Sequence, residues 1–195
     1  MKKIYTFNKD GWNKEDFRYA YSPACFDRVE FKQEDDCVVN GTGKSLFGYE
    51  YVSILERIAR KTGVRVQTEC SFEKFGAPLI VFSDDIQVNE RGEWIYGKHF
   101  EVVAYEEGIN IWHIVPCYEN KERPIKPTLL ASKKFNIDAN SRIVIKLEVL
   151  KDCIKTWVNG EFLEIAVEDL PQNELWVGVT ACEGINRFYS LTVED

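Results

Sequence analysis

Hydrophobic and polar residues alternate along most of the chain from residue 64 onward. The clearest run extends from Val64 to Phe72, in which Val, Thr, Cys and Phe occupy every second position. The residues between them are all polar: Arg65, Gln67, Glu69 and Ser71. Because successive side chains of a β-strand point to opposite faces of its sheet, this run predicts a strand with one buried face and one polar face.

Turn signals separate this strand from several others. The strongest is Asn159-Gly160, which predicts a tight hairpin joining Val158 to Glu161. Further short strands are predicted over residues 77–83, 129–135, 143–150, 153–158, 175–181 and 188–193. This spacing favours an all-β fold, an antiparallel β-sandwich or jelly roll with at most one or two short helices. No linker or internal repeat divides the sequence, so we expect a single domain over residues 1–195.

One segment, Tyr49 to Thr62, fits two patterns. Its apolar residues from Val52 to Ala59 have helical spacing, whereas the residues from Tyr49 to Leu55 alternate as in a strand. We predict a strand through Leu55 followed by a short helical turn.

The stretch from Gly97 to Pro116 predicts the central hairpin of the fold. We place its loop over the three residues Glu106-Glu107-Gly108, because a two-residue turn prefers Asn or Asp before its glycine. This register sets Glu101 opposite His113, whereas a two-residue loop would shift the pairing by one residue and separate them. Tyr105 shares the face of Glu101 in the predicted hairpin, and Trp112 points to the core.

Glu101 and His113 are the strongest candidates for chemistry. A carboxylate beside an imidazole can act as an acid–base couple, or it can bind sugar hydroxyls through fixed donors and acceptors. The same pair can also be a cross-strand contact that stabilises the hairpin by a few tenths to about 1 kcal/mol. Both interpretations remain open from the sequence. We expect the other histidine, His99, at the surface where the strand begins.

Charge and cysteine usage narrow the class of protein. The formal net charge of -7 argues against nucleic acid or an anionic membrane as a partner. The first residues lack the apolar core of a signal peptide, and no apolar run has membrane-spanning length. The six cysteines lack paired CxxC spacing, so we expect free thiols, no metal site and no cofactor. We therefore expect a cytoplasmic protein.

The second half of the chain resembles the concanavalin A-like lectin/glucanase superfamily. The resemblance rests on Trp157-Val-Asn-Gly-Glu161, on Leu170-Pro171 leading into Leu175-Trp-Val-Gly-Val-Thr180, on Asn186-Arg-Phe-Tyr-Ser-Leu-Thr-Val193 and on Ser71-Phe-Glu-Lys-Phe-Gly-Ala-Pro-Leu-Ile80. It implies a jelly roll over roughly residues 64 to 193, with carbohydrate bound on the concave face of one sheet. The superfamily also includes glycosidases, lyases and structural domains, so the fold alone leaves the function open.

The glucanases of that superfamily carry an acidic motif, E-x-D-x-x-E. Glu101 and Glu106 match its outer positions, but Val103 replaces the central aspartate. Glu101 and Glu106 also point to opposite faces of a regular strand, and Glu106 is more simply a solvated turn residue. The sequence thus argues against a glucanase mechanism.

Further candidates come from the predicted ligand face. Arg65, Gln67 and Glu69 either line the concave sheet or are the ordinary polar side of an exposed strand. Tyr105 is the expected stacking aromatic, and Trp94, in a turn-rich segment, is expected to be exposed near the edge of the groove. The leading hypothesis is a non-catalytic protein that binds a mono- or oligosaccharide. The alternatives are a sugar-active enzyme that uses Glu101 and His113, and an interaction subunit that associates with a partner or with itself.

Overall fold

The computed structural model describes residues 1–23, 31–40, 52–59, 63–172, 174–181 and 183–195. Seventeen strands and one short 3-10 helix, Lys14–Asp16, form within these ranges. In chain order the strands are β1 (Lys2–Thr6), β2 (Arg18–Tyr21), β3 (Lys32–Gln33), β4 (Val38–Val39), β5 (Val52–Ala59), β6 (Val64–Phe72), β7 (Pro78–Ser83), β8 (Ile86–Val88), β9 (Trp94–Tyr96), β10 (His99–Tyr105), β11 (Gly108–Pro116), β12 (Ile125–Lys134), β13 (Ile143–Val149), β14 (Cys153–Val158), β15 (Glu161–Ala166), β16 (Glu174–Ala181) and β17 (Asn186–Glu194).

The strands form two sheets. The eight-stranded sheet has the order β15-β14-β13-β6-β17-β4-β3, with β1 also paired to β17. The nine-stranded sheet has the order β12-β11-β10-β7-β16-β5-β2-β9-β8. All described pairs are antiparallel except β2 with β9. The predicted all-β, antiparallel sandwich is confirmed.

The main core lies between the two sheets. Both sheets contribute fully buried side chains, among them Val66, Ile145, Leu147 and Phe188 from one and Ile80, Phe82, Phe100, Val102 and Val177 from the other. The rings of Phe82 and Phe100 stack with their centroids 5.0 Å apart. Burial of a side chain of this size stabilises the fold by roughly 1.5–3 kcal/mol, so inward-facing positions dictate which way each strand faces.

Two of the local patterns formed as predicted. In β6, Val64, Val66 and Cys70 are buried, with the polar residues Arg65 and Gln67 exposed between them. Asn159 and Gly160 form the two-residue hairpin turn between β14 and β15, both with positive φ, and Val158 pairs with Glu161. Both patterns are set by nearest neighbours in the sequence, which is why they could be predicted.

The segment from Tyr49 to Thr62 departs in part from its prediction. Strand β5 continues through Leu55 to Ala59, so the helical turn predicted after Leu55 is wrong over residues 56–59. Pairing of Glu174–Val179 in β16 with residues 54–59 extends the strand beyond the alternating part of its sequence. Residues 49–51 and 60–62 lie outside the described ranges.

The register of the central hairpin differs from the prediction by one residue. Tyr105 pairs with Gly108, Glu101 with Trp112 and Phe100 with His113, so the loop holds only Glu106 and Glu107. Gly108 has a φ of 138°, and a Cβ there would overlap the carbonyl oxygen of Lys133 in β12. The glycine therefore allows a close approach of the neighbouring strand and is not part of the turn.

Candidate functional site

The shifted register decides which side chains share the outer face of the nine-stranded sheet. Phe100, Val102 and Ala104 point into the core, so the alternate residues of β10 point outward beside Trp112 of β11. These residues border a cavity of about 240 Å³, which we call the groove. It is lined by Ala77, Glu101, Val103, Tyr105, Asn110, Trp112, Ile114, Arg123, Ile125, Pro127 and Glu183.

Glu101 is the most buried polar residue of the groove. Its side chain is 4% exposed, and its Oε1 lies 3.3 Å from Nε2 of His99, which is fully buried. His99 Nδ1 lies 3.0 Å from the carbonyl oxygen of Gly97. A carbonyl only accepts, so Nδ1 donates to Gly97, and the ring is held with Nε2 directed at Oε1 of Glu101. The imidazole thereby fixes the orientation of the carboxylate towards the groove.

The burial of His99 contradicts the expectation that it lies at the surface. The turn after β7 covers the start of β10: Ser83 Oγ donates to the carbonyl of Lys98 at 2.6 Å, and the Lys98 amide donates to Asp85 Oδ2 at 2.9 Å. The ring of Tyr96 lies 4.5 Å from the His99 ring. The two hydrogen bonds join residues 13 and 15 positions apart, and strand alternation alone does not reveal them.

Two loops held together by their backbones form one rim of the groove. The Ala77 amide donates to the carbonyl of Glu183 at 3.3 Å, and the Glu73 amide donates to that of Ile185 at 3.0 Å. Gly184 has a φ of 66°, and a Cβ there would lie 2.8 Å from Gly76 Cα. Backbone hydrogen bonds and close packing therefore hold residues 73–77 against residues 183–185.

Comparison with known proteins adds evidence on the fold. No family model and no curated sequence matches this chain. The carbohydrate recognition domain of Emp47p superposes with a TM-score of 0.62 at 10% identity, over 98% of this chain and 94% of that one. A laminarinase from Flavobacterium sp. UMI-01 gives 0.61 at 10% identity, over 99% of each chain. The fold is a concanavalin A-like jelly roll.

Carbohydrate binding module CBM66 from Bacillus subtilis has the same jelly roll, with a TM-score of 0.52 at 13% identity over 74% of this chain and 82% of that one. All of these identities are low. They show the jelly-roll fold and do not identify the ligand of this chain, which depends on its own residues.

His113 lies on the opposite face of the nine-stranded sheet from Glu101. Its ring stacks on Phe100 with centroids 4.6 Å apart and planes at 13°, and its Nε2 is buried with no hydrogen-bond partner among the described residues. Burial lowers the pKa of His113, and the nearby Lys98 and His99 act in the same direction. The predicted pair of Glu101 with His113 is therefore wrong, because the two-residue loop turns His113 towards the core.

Arg65, Gln67 and Glu69 do not lie on the groove sheet. They belong to β6 of the eight-stranded sheet and point away from the core on the opposite side of the molecule. Arg65 Nε contacts Glu148 Oε1 at 2.9 Å, and Arg142 Nη1 contacts Glu69 Oε1 at 3.1 Å. Because the apolar face of β6 covers the core from the other sheet, placing its polar face in the groove was wrong.

Trp94 lies on the groove face but outside the groove. It is half-buried in β9, and its ring meets that of Trp176 edge-to-face at 4.8 Å. Both belong to an apolar cluster on this face that includes Leu79 and Val81. The expectation of an exposed residue in a turn is wrong, because pairing with β2 and β8 draws the segment into the sheet.

Sequence reasoning missed Asn110, Trp112, Arg123 and Glu183. Strand alternation would have assigned Asn110 and Trp112 to the groove once the two-residue loop was chosen. Arg123 and Glu183 lie in loops, where no periodic pattern exists. Glu106 is a loop residue whose carbonyl accepts from the Ile137 amide at 2.9 Å, and it does not line the groove.

The described ranges contain no cluster of side chains suited to a metal ion and no helix suited to a membrane. No group of three or more His, Cys, Asp or Glu side chains there is placed to hold a metal ion. None of the helices in those ranges has the length and apolar character needed to cross a membrane.

Proposed function

We propose that the protein is a non-catalytic carbohydrate-binding protein whose groove takes a mono- or oligosaccharide. The observation that carries the proposal is the position of two half-buried aromatic side chains, Tyr105 and Trp112, beside the fixed carboxylate of Glu101. Sugars present hydroxyls that need oriented donors and acceptors, together with apolar C–H faces that pack on aromatic rings. The groove offers both kinds of contact.

The polar groups around the groove support this proposal. Arg123 provides hydrogen-bond donors, Asn110 provides donors and an acceptor, and the carboxylates of Glu101 and Glu183 provide acceptors. A volume of about 240 Å³ is below the roughly 300–1,000 Å³ typical of sites for drug-sized ligands. One sugar ring is the unit that we expect inside it.

The structural neighbours support a carbohydrate ligand without identifying it. Their names describe a carbohydrate recognition domain, a carbohydrate binding module and a laminarinase. The shared jelly roll supports a ligand of the same class for the groove.

A glycan array, followed by titration of the best ligand, tests the proposal. Trp112→Ala is expected to weaken binding by at least tenfold, because stacking on an aromatic ring is lost from the groove. Trp157→Ala is the matched control, since Trp157 is another half-buried tryptophan but lies on the eight-stranded sheet. Absence of any binding by the wild-type protein, or equal losses in both variants, would contradict the proposal.

A second candidate function is sugar-active catalysis, favoured by the buried pair of Glu101 and His99. A carboxylate in contact with an imidazole at the wall of a cavity is suited to proton transfer. The pair replaces the one that the sequence predicted with His113. Turnover of aryl glycosides, abolished by Glu101→Gln, would support catalysis; binding without turnover supports the first proposal.

We also propose a cytoplasmic location, which the free thiols support. Cys37, Cys70, Cys117 and Cys153 are free cysteines; Cys25 and Cys182 lie outside the described ranges. Burial, with help from Asp36 and Glu34, raises the pKa of Cys37 to about 12, and burial also raises that of Cys70. Titration of denatured protein without reductant should find nearly six thiols; two or three disulfides would contradict this location.

An interaction subunit that self-associates is the remaining alternative. A stable oligomer that shows no response to any glycan would favour it over carbohydrate binding. Light scattering together with the glycan array separates the two.

A further inference from the structure

The rim of the groove carries an aromatic residue in an unusual backbone conformation. Phe75, in the loop between β6 and β7, has a φ of 66°, in the left-handed region that a bulky L-residue rarely adopts. Phe75 is also 54% exposed, so burial of its ring does not compensate for the conformation. Lys74 Nζ lies 5.0 Å from the ring centroid.

The surrounding structure holds this conformation firmly. Arg187 Nη1 contacts Glu73 Oε1 at 2.9 Å, and the Gly76 amide donates to the carbonyl of Glu73 at 2.7 Å. The hydrogen bonds from Glu73 to Ile185 and from Ala77 to Glu183 fix the loop on both sides of Phe75. The backbone at Phe75 is thus fixed by contacts that its own side chain does not provide.

The position of the loop relates Phe75 to the groove. Ala77 and Glu183 line the groove, and a Cβ on Gly184 would lie 2.9 Å from the carbonyl carbon of Phe75. Phe75 itself is outside the lining. A ligand confined to the groove therefore would not need Phe75, whereas a ligand that extends past this rim would meet it.

We propose that Phe75 is a ligand-binding residue that stacks on a second sugar unit, adjacent to the one held in the groove. The inference rests on the proposed carbohydrate function and deepens it: the ligand is an oligosaccharide of at least two units. Residues held in sparsely populated backbone conformations cluster at active sites and ligand-binding sites. An aromatic ring is suited to packing against the C–H face of a sugar.

The test compares ligands of different length on two variants. A glycan array selects the trisaccharide that the wild-type protein binds best, and calorimetry then measures this trisaccharide and its terminal monosaccharide. Phe75→Ala is expected to weaken trisaccharide binding by at least tenfold and monosaccharide binding by less than twofold. Phe162→Ala is the control, because Phe162 is an exposed phenylalanine, 39% exposed, on the eight-stranded sheet. It is expected to leave both affinities unchanged.

Phe75→Gly separates ligand binding from a structural role. Glycine adopts positive φ without strain, so this variant is expected to melt at the same or a higher temperature while losing trisaccharide affinity as Phe75→Ala does. A lower melting temperature for Phe75→Gly, with equal losses for monosaccharide and trisaccharide, would show a structural role and overturn the inference.

The remaining outcomes distinguish this inference from the proposed function. A wild-type protein that binds trisaccharide while both Phe75 variants bind it equally well overturns the role of Phe75 alone. A wild-type protein that binds no glycan on the array overturns the proposed function and this inference together.

Discussion

The two outer faces of the jelly roll use polar residues in opposite ways. On the eight-stranded sheet, polar side chains are numerous and exposed, and they neutralise one another, as in the pairs of Arg65 with Glu148 and Arg142 with Glu69. On the nine-stranded sheet the outward positions are largely apolar, and Glu101 is buried among them beside a fully buried His99. The eight-stranded face resembles an ordinary solvated surface. On the nine-stranded face, the carboxylate of Glu101 is buried among apolar side chains.

Cavity size does not distinguish the two faces. The eight-stranded sheet carries a cavity of about 320 Å³ lined by residues that include Arg65, Gln67 and Trp157, which exceeds the 240 Å³ of the groove. The two faces differ in the free energy needed to bury their polar groups. Burying a charge is unfavourable unless it is paired and hydrogen-bonded. The buried pair therefore supports the proposal that the ligand binds on the groove face.

The largest effect should come from breaking the buried pair. His99→Ala leaves Glu101 buried without its imidazole partner, which for a buried pair costs about 3–5 kcal/mol. A chain of this size loses roughly 2–4 °C of melting temperature per kcal/mol. Thermal unfolding monitored by circular dichroism checks the prediction.

Arg65→Ala is the control on the opposite face, where the removed side chain is itself 69% exposed. It is expected to leave the melting temperature nearly unchanged. If the two variants unfolded at the same temperature, the proposed difference between the faces would be wrong.

The next effect concerns binding at the groove. Glu101→Gln keeps the size of the side chain and its capacity to accept a hydrogen bond from His99, but it removes the charge that a sugar hydroxyl would contact. A charge-assisted hydrogen bond contributes about 1.5–3 kcal/mol, so we expect affinity for the best glycan to fall by at least tenfold. Calorimetric titration measures the loss.

Glu106→Gln is the matched control for that measurement. Glu106 has the same side chain and lies five residues away, in the hairpin loop and outside the groove. We expect no change in affinity. Lost affinity in Glu106→Gln with none in Glu101→Gln would support a glucanase-like arrangement and overturn the assignment of Glu101.

The fold could be predicted from the sequence because strand alternation and turns depend on adjacent residues. Val64 to Phe72 and Asn159-Gly160 are examples. The site was predicted only in part: Glu101 and Tyr105 line the groove, but His113 does not. The observed pairing register differs from the predicted one by a single residue, and this shift decided which side chains line the groove. The register depends on the close approach of β12 to Gly108, a contact between segments about 25 residues apart.

The burial of His113 predicts a smaller effect, visible in the pH dependence of stability. Because the folded protein holds the pKa of His113 below its ordinary value of about 6.5, the unfolded chain binds more protons in the window just below that pH. Stability is therefore full above about pH 6.5 and falls as the pH decreases through the window. Denaturant unfolding at several pH values measures the slope.

His113→Phe removes the titrating group while preserving a ring that can stack on Phe100. We expect the stability of this variant to vary less between about pH 7 and pH 5, and its affinity for glycan at pH 7.5 to equal that of the wild-type protein. An unchanged pH slope would show that His113 is not responsible. Reduced glycan affinity would show that His113 contributes to ligand binding and contradict its exclusion from the site.

The smallest effect is expected on the eight-stranded face, and it tests the comparison from the other side. A triple variant, Arg65→Ala with Gln67→Ala and Glu69→Ala, removes the polar row of β6 and part of the wall of the larger cavity beside Trp157. Exposed ion pairs contribute little, because solvent and salt screen them and two long side chains must be ordered. Glycan affinity should therefore stay within twofold of the wild-type value, with only a slight decrease in melting temperature. The same calorimetric titration used for Glu101→Gln provides the measurement, so the two faces are compared with one ligand under one condition. A tenfold loss in the triple variant, with none in Glu101→Gln, would place the binding site on the eight-stranded sheet and show that the exposed polar row, and not the buried pair, marks function in this fold.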